Sequence, residues 1–543
     1  MNIKMMLKIL RCVLLLTALA ISAGAATSGA NYTVNAAGGG NYTTIQACAS
    51  AISAGDTCTV YAGTYNEHPS IPAGAAGSYK TITVNGSDTV TVQGFTISSH
   101  VKVNGFHIQN TSSPTTSCVS VPSNTTDFYI TNNVMTSCGG INEATGGTVS
   151  HGFIQGNTLS YASTTPGANN NGPGLSIWGD YHLIENNDIS HVSDGFHFGG
   201  SHNVIRKNTM HDTSPSECTV GGHGENCHID FIESEPSEPT AYNVYEANTV
   251  INDPGPSGHA FLLQADVCGG NCRTVIVRFN TIAHVGAAGV ENDNQWPYIR
   301  VYNNSWVDPA SNGQGGGTND FSNGANNGAD FNDLFYYPGS ITNQNAICAS
   351  GCGGTNPTGF KAGHNLAWCT GTPCSIFGYG YESGHWTDDT TNRLSDPQFV
   401  GYSSTGLGNL SLQSGSPAAG AGTYLTTVAS SDSGSGTSLV VSDANFFQDG
   451  SGIPGVNADC IAVGSTTTHV CISSVNYQTN TLTLTSSITR AAGAPVWLYS
   501  DSTGRTVLNG SAPNIGASVT SSGGGGSGGT PPAAPTGLAA IVN

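Results

Sequence analysis

Residues 174–308 repeat one phrase of apolar and polar positions. It reads LIENNDI (183–189), VIRKNTM (204–210), VYEANTV (244–250), IVRFNTI (276–282) and VYNNSWV (301–307). Each copy sets apolar residues on alternate positions, then an Asn, a short polar residue and another apolar one. ITNNVMT (130–136) and FIQGNTL (153–159) are fainter copies. Aligned on the Asn, the copies place Asn133, Asn157, Asn187, Asn208, Asn248, Asn280 and Asn304 at gaps of 24, 30, 21, 40, 32 and 24 residues. A strand unit that recurs with uneven insertions predicts a β-solenoid, because one turn cannot bury its apolar face without neighbours. The Asn suits the bent backbone of a corner, and its amide can bond to the next along the axis.

If the Asn faces inward, the residue two before it faces outward. Those residues are Glu185, Arg206, Glu246, Arg278 and Tyr302. Charged residues make up only 9% of the chain, so four of alternating sign at one lattice position predict a ladder that sets coil order. On strands about 5 Å apart such groups can pair. As solvent-exposed pairs, each would contribute under about 1 kcal/mol.

The run Ile45–Ile52 is predicted to cap the first coil, since a solenoid end otherwise exposes its core and an edge. The phrases TIQACASAISAGDTCTVYAGTYNE and VKVNGFHIQN around this cap resemble the opening of secreted right-handed parallel β-helix proteins of the pectate-lyase superfamily. The resemblance covers roughly residues 31–425. It implies an all-β, right-handed parallel β-helix, and an extended polysaccharide held in a groove along it. The superfamily includes lyases, hydrolases, epimerases and proteins without known catalysis, so the resemblance does not choose a reaction. Asp396–Phe399 and Leu410–Leu412 resemble closing coils, with Asp501–Arg505 and Asn514–Ala517 as the final phrases. Residues 426–500 intervene and read as a small β barrel or sandwich, either a spacer or a carbohydrate-binding unit.

The expected organisation is a signal peptide at 1–25, the β-helix at 26–425, the inserted module at 426–500 and a closing segment at 501–519. A Gly/Ser linker and a fibronectin-III-like start would follow at 520–543. Lys4, Lys8, Arg11, a short apolar core and Ala23-Gly24-Ala25 compose the signal. Export then suits fourteen cysteines in local pairs: Cys48/Cys58, Cys118/Cys138, Cys218/Cys227, Cys268/Cys272, Cys348/Cys352, Cys369/Cys374 and Cys460/Cys471. Zinc is disfavoured at the two Cys-x3-Cys pairs, which lack a second ligand pair nearby. The formal charge of −20, with only 14 Lys and Arg, excludes nucleic acid and anionic membranes as partners. No later stretch is long and apolar enough for membrane insertion, and a monomer is expected.

A second strand aligns in the same coils: GLSIW (174–178), GFHFG (195–199), HIDFIE (228–233) and GVEND (289–293). Leu175, Ile177, Phe196, Phe198, Ile229, Phe231, Val290 and Asn292 should point inward. Ser176, His197, Asp230 and Glu291 should form an outward row, interrupted by Phe261 or Leu262. The insertion 211–227 lies beside it and carries Glu217, His223 and Glu225. We take His197, His228, Asp230 and Glu233 as catalytic candidates, and Asp194, Ser176, Glu291 and His223 as substrate contacts. His beside carboxylates can move protons near neutral pH, and two carboxylates can flank a glycosidic bond. Asp194, Asp230 and Glu233 could instead hold a hard cation such as Ca2+. The expected activity is a lyase or glycoside hydrolase; the alternative is a surface protein that binds glycans without cleaving them. Convergence of His197, Asp230, Glu233 and His228 on an open groove favours the enzyme.

Overall fold

The computed structural model describes residues 29–146, 148–165, 172–213, 229–234, 240–253, 258–264, 272–286, 288–293, 296–309, 318–321, 324–338, 345–348, 357–369, 375–377 and 391–517. Among these, thirteen strands form a first sheet from Asn31–Val34 to Lys361–Gly363. Thirteen form a second from Gly63–Tyr65 to Arg393–Leu394, and twelve form a third from Ser70–Ile71 to Ser375–Phe377. Neighbouring strands run parallel. Each coil passes from the first sheet round a tight corner to the second, through a loop to the third, and back. The three sheets enclose one continuous apolar core. At the open end, helix Ile45–Ala51 is capped by the Thr44 side chain and buries Ile45, Cys48 and Ala49, as the apolar run predicts.

The seven asparagines stack at the corner between the first and second sheets. Nδ2 of Asn133 donates to Asn157 Oδ1 at 3.1 Å, and the bond repeats to Asn187, Asn208, Asn248, Asn280 and Asn304 at 2.9–3.1 Å. The same oxygens accept the backbone N–H of the preceding rung. The column continues through Asp333, Asn365 and Asn392. One detail differs from expectation. The left-handed residue is the one before the ladder Asn: Asn186, Lys207, Ala247, Phe279 and Asn303 all have φ of 54–56°. Bulky residues such as Phe279 hold that conformation because bonds from adjacent rungs over-determine the corner.

The outward ladder on the first sheet has the expected register, with Glu185, Arg206, Glu246, Arg278 and Tyr302 opposite one another in turn. Its exposure does not follow expectation: Arg206 is 4% exposed, and Glu246, Arg278 and Tyr302 are 0%. The cause is the inserted module, a six-stranded antiparallel sheet that packs on this face. Phe153, Leu183, Val204, Val244 and Ile276 of the first sheet share one apolar cluster with Phe446, Phe447, Ile461 and Leu498 of the module. Strands buried on both faces read as near-continuous apolar runs. Arg278 meets Asp459 of the module through two bonds of 2.8 Å, and its Nε donates to Glu246 at 2.6 Å. Ser502 donates to Glu246, and Arg206 donates to the carbonyls of Ser502 and Gly455. The module is therefore seated by buried, paired charges, and for Glu246, Arg278 and Asp459 the surface value of under about 1 kcal/mol does not apply.

Residues Phe399–Gly401 and Asn409–Leu412 form an antiparallel hairpin rather than further coils, and pack on Val307, Leu334 and Leu366 of the second sheet. Residues 514–517 return to the corner, where Gly516 N–H meets Asn332 O and Ala517 N–H meets Ser305 Oγ. Disulfides join Cys48–Cys58, Cys118–Cys138 and Cys460–Cys471, the second bridging adjacent coils. Cys272, Cys348 and Cys369 are also disulfide-bonded. Cys218, Cys227, Cys268, Cys352 and Cys374 lie outside the described residues, as do the expected signal segment and the residues from 518 onward.

Candidate functional site

The third sheet carries the second aligned strand of each coil. Alternation puts Leu175, Ile177, Phe196, Phe198 and Val290 inward at 0% exposure. It puts Ser176 opposite His197, His197 opposite Glu233, Glu233 opposite Leu262, and Leu262 opposite Glu291 in the outward row. The row thus contains Glu233, not the expected Asp230. After the long insertion the strand begins at Ile232, which pairs with Phe196. Ile232 and Ser234 therefore take the inward positions of the strand, while Ile229 and Phe231, expected inward, are buried in the same core region just ahead of it. A slip of register by an odd number of residues exchanges the two faces of a strand.

Asp230 lies at the corner just before the strand, fully buried. Its N–H donates to Asp194 Oδ1 at 3.2 Å, and its Oδ1 accepts the backbone N–H of His259 at 2.7 Å. The corner thereby pulls three acids together: carboxylate oxygens of Asp194, Asp230 and Glu233 lie within 4.8 Å of one another. His197 Nε2 is 3.9 Å from Glu233 Oε2, with His197 29% exposed. Glu291 is 32% exposed, so this patch of the face reaches solvent. His228 and His223, with Glu217 and Glu225, lie outside the described residues.

His259 was missed from sequence and joins the group. Its Nδ1 is 2.9 Å from Asp230 Oδ1, and its Nε2 is 2.7 Å from Glu291 Oε2. It stands alone in HAFLLQ (259–264), with its partners one coil away on either side, so nothing local marks it. Burial pulls its pKa down, but the charges of Asp230 and Glu291 and the bonds to them outweigh this and push it up to about 10. It is thus an imidazolium at neutral pH, donating from both nitrogens. Burial, then the charge of Asp230, push Asp194 up to about 6. A crowded acid with a raised pKa such as Asp194 suits proton transfer near neutrality, or a cation that relieves the repulsion among the three. An all-oxygen donor set of carboxylates fits Ca2+ rather than a softer metal.

No family model matches the chain, and no curated protein matches it. Among solved structures it is similar to pectate lyase Pel9A, at 13% identity and a TM-score of 0.37, over 75% of this chain and 94% of that one. It is similar to a rhamnogalacturonan lyase at 13% identity and a TM-score of 0.35, over 68% and 91%. A GH136 lacto-N-biosidase from Eubacterium ramulus aligns at 9% identity and a TM-score of 0.37, over 67% of each chain. The fold is a parallel β-helix. The three parallel sheets carry that statement. Likeness at these scores carries no argument about chemistry, which is read from the β-helix's own residues.

Proposed function

We propose that the chain is an exported polysaccharide-active enzyme that holds an extended glycan along the outward face of the third sheet. The observation that carries this reading is the convergence of Asp194, Asp230 and Glu233 within 4.8 Å, beside a partly exposed His197. Disulfides suit export. In this reading His197 exchanges a proton with a sugar, and His259 holds Asp230 and Glu291 in position. The row carries no Lys or Arg, and the whole chain is strongly acidic. A uronate polymer would therefore be repelled unless a cation intervened. Asp194, Asp230 and Glu233 would hold Ca2+, which when bound supplies the positive charge that offsets a sugar carboxylate. We favour cation-dependent elimination on an acidic glycan.

A second reading has its own observation. Glu233 and Glu291 stand two rungs apart in the row, about 9–10 Å at the usual strand spacing. That is near the upper limit for a pair of carboxylates that hydrolyses a glycosidic bond with inversion. A panel of acidic and neutral polysaccharides, with and without chelator, separates the two. Elimination gives ultraviolet-absorbing unsaturated ends and stops with chelator. Hydrolysis gives reducing ends alone. Asp230→Asn keeps a carbonyl oxygen for the His259 N–H groups, so the fold should hold. Activity should fall about a hundredfold or more, while Tm stays within about 2 °C. A fully active Asp230→Asn protein removes this site. Retention on glycans without cleavage of any would establish the non-catalytic alternative.

A further inference from the structure

Trp178 closes the strand Leu175–Ile177 and faces outward in phase with Ser176. Three observations set it apart. First, it is only part-buried, whereas Trp296 and Trp306 are fully buried. Those two donate their indole N–H groups to Arg273 O and Asp333 Oδ2. The indole N–H of Trp178 meets no acceptor among the described residues. Second, its ring lies over Gly199 of the next rung: a Cβ there would come within 2.9 Å of Cε3 and 3.4 Å of Cζ3. A glycine at this position lets the indole rest on the sheet instead of standing off it. Third, the ring sits edge-on to His197, with centroids 5.3 Å apart.

The backbone beneath is held in place. The buried Glu143 carboxylate accepts the N–H groups of Trp178 and Gly179, both at 2.9 Å. An aromatic surface fixed in advance loses little entropy when a ligand stacks on it. The row also changes character at His197. Towards the N-terminal end it continues as Ser176 and Asn142, both uncharged. Towards the C-terminal end it carries Glu233 and Glu291.

We infer that Trp178 is the stacking platform of a glycan subsite: one pyranose ring lays its apolar C–H face on the indole while the adjacent bond lies over His197 and Glu233. An indole combines a flat apolar face with a polar N–H, which suits a sugar's apolar face and hydroxyl rim. This rests on the glycan groove proposed above, and assigns it a direction: the stacked sugar lies on the uncharged side of the acidic cluster.

The test begins with His197→Gln, which removes a proton-transfer group and leaves the Asp194, Asp230 and Glu233 carboxylates in place, so that oligosaccharides of the panel bind without turnover. Binding is expected to change tryptophan fluorescence, and the change should vanish in His197→Gln/Trp178→Phe. In the otherwise native enzyme, Trp178→Ala should raise KM about fivefold with kcat held within about twofold, and Trp178→Phe should recover part of the loss. Gly199→Ala leaves Trp178 in the chain but lifts its ring, and should reproduce the rise in KM. Melting curves confirm that each variant is folded. The platform is overturned if the fluorescence change survives without Trp178, if KM is unmoved by Trp178→Ala, or if no glycan of the panel binds. Binding with a Trp178 signal but no turnover would sink the catalytic reading and leave the platform standing.

Discussion

On the first sheet the outward row runs Glu185, Arg206, Glu246, Arg278. On the third it runs Ser176, His197, Glu233, Leu262, Glu291, with Asp194 and Asp230 at the corner beside it. Both rows come from the same coils by the same two-residue alternation. In the first, acid and base alternate, and the module adds Asp459 to satisfy the second face of the Arg278 guanidinium. The charges are matched, so the face can be sealed under an apolar cover. In the third, carboxylates outnumber cations, and His197 and Glu291 reach solvent beside the buried Asp230 and Glu233. Burying such a surplus would cost several kcal/mol per unpaired charge. An outward charged row is thus structural where its signs cancel. Where acids accumulate, it calls for an external partner such as a proton, a cation or a substrate.

The largest effect should come from breaking the balance of the covered face. Arg278→Ala leaves Glu246 and Asp459 buried at 0% exposure without their counter-ion. The expected loss is about 3–5 kcal/mol. It should be read as a fall in Tm and as easier proteolysis of the module, with cleavage activity retained below the new melting point. Asp230→Asn, at the corner beside the third-sheet row, should do the reverse, removing activity and sparing Tm. If Arg278→Ala melts like the native protein, the module is not held by that network.

The two faces also differ in how far the sequence discloses them. The Asn column was legible because it repeats within one local phrase, and its partners occupy the same place in every copy. The outward ladder was legible in register but not in burial. Its cover comes from Asp459 and Phe446, far along the chain, and an alternating row of charges looks alike whether water or protein lies over it. On the third sheet, Ser176, His197 and Glu291 could be read from alternation. Glu233 displaced Asp230 because the insertion after His211 hides where the strand restarts. His259 gave no local signal, since its partners lie on neighbouring rungs; Trp178 shares the outward phase of Ser176, but the glycine and histidine its ring rests against belong to the next rung. The grouping of Asp194, Asp230 and Glu233 was proposed from composition near the loop, and the corner geometry is what brings their oxygens together.

A second test concerns a place where the Asn column itself carries an acid. Asp333 takes a ladder position, accepting the Asn304 N–H at 2.7 Å and the Trp306 indole N–H at 2.8 Å. Burial pushes its carboxyl up to about 7, and the bonds it accepts only partly oppose this. Burial, then the nearby Asp333, raise Asp330 as well. A carboxyl with a raised folded pKa gives stability that is present below its unfolded value near 4 and is lost as pH rises through about 7. The native protein should therefore lose on the order of 2 kcal/mol between pH 5 and pH 8 from this position. Asp333→Asn cannot titrate. Its Tm relative to the native protein should improve from pH 5 to pH 8, even though Trp306 loses its acceptor. A Tm difference that stays flat with pH would show that this carboxyl is not protonated in the folded state.

The smallest effect belongs to the edge of the covered face. Glu185 accepts Arg206 Nε at 2.6 Å, with side chains 15% and 5% exposed, and also accepts Gln155 Nε2 at 2.9 Å. Unlike Glu246, it has water on one side. Arg206 keeps its bonds to Ser502 and Gly455 if the pair is broken. Glu185→Gln should therefore cost under about 1 kcal/mol. The difference should shrink at high salt, where screening reaches charges near the surface. Arg278→Ala, deeper under the module, should show little salt dependence. Melting both variants at low and high salt separates edge from interior. If Glu185→Gln costs as much as Arg278→Ala and ignores salt, the seal extends to the margin of the sheet. The contrast would then lie between whole faces, with no gradient across the first.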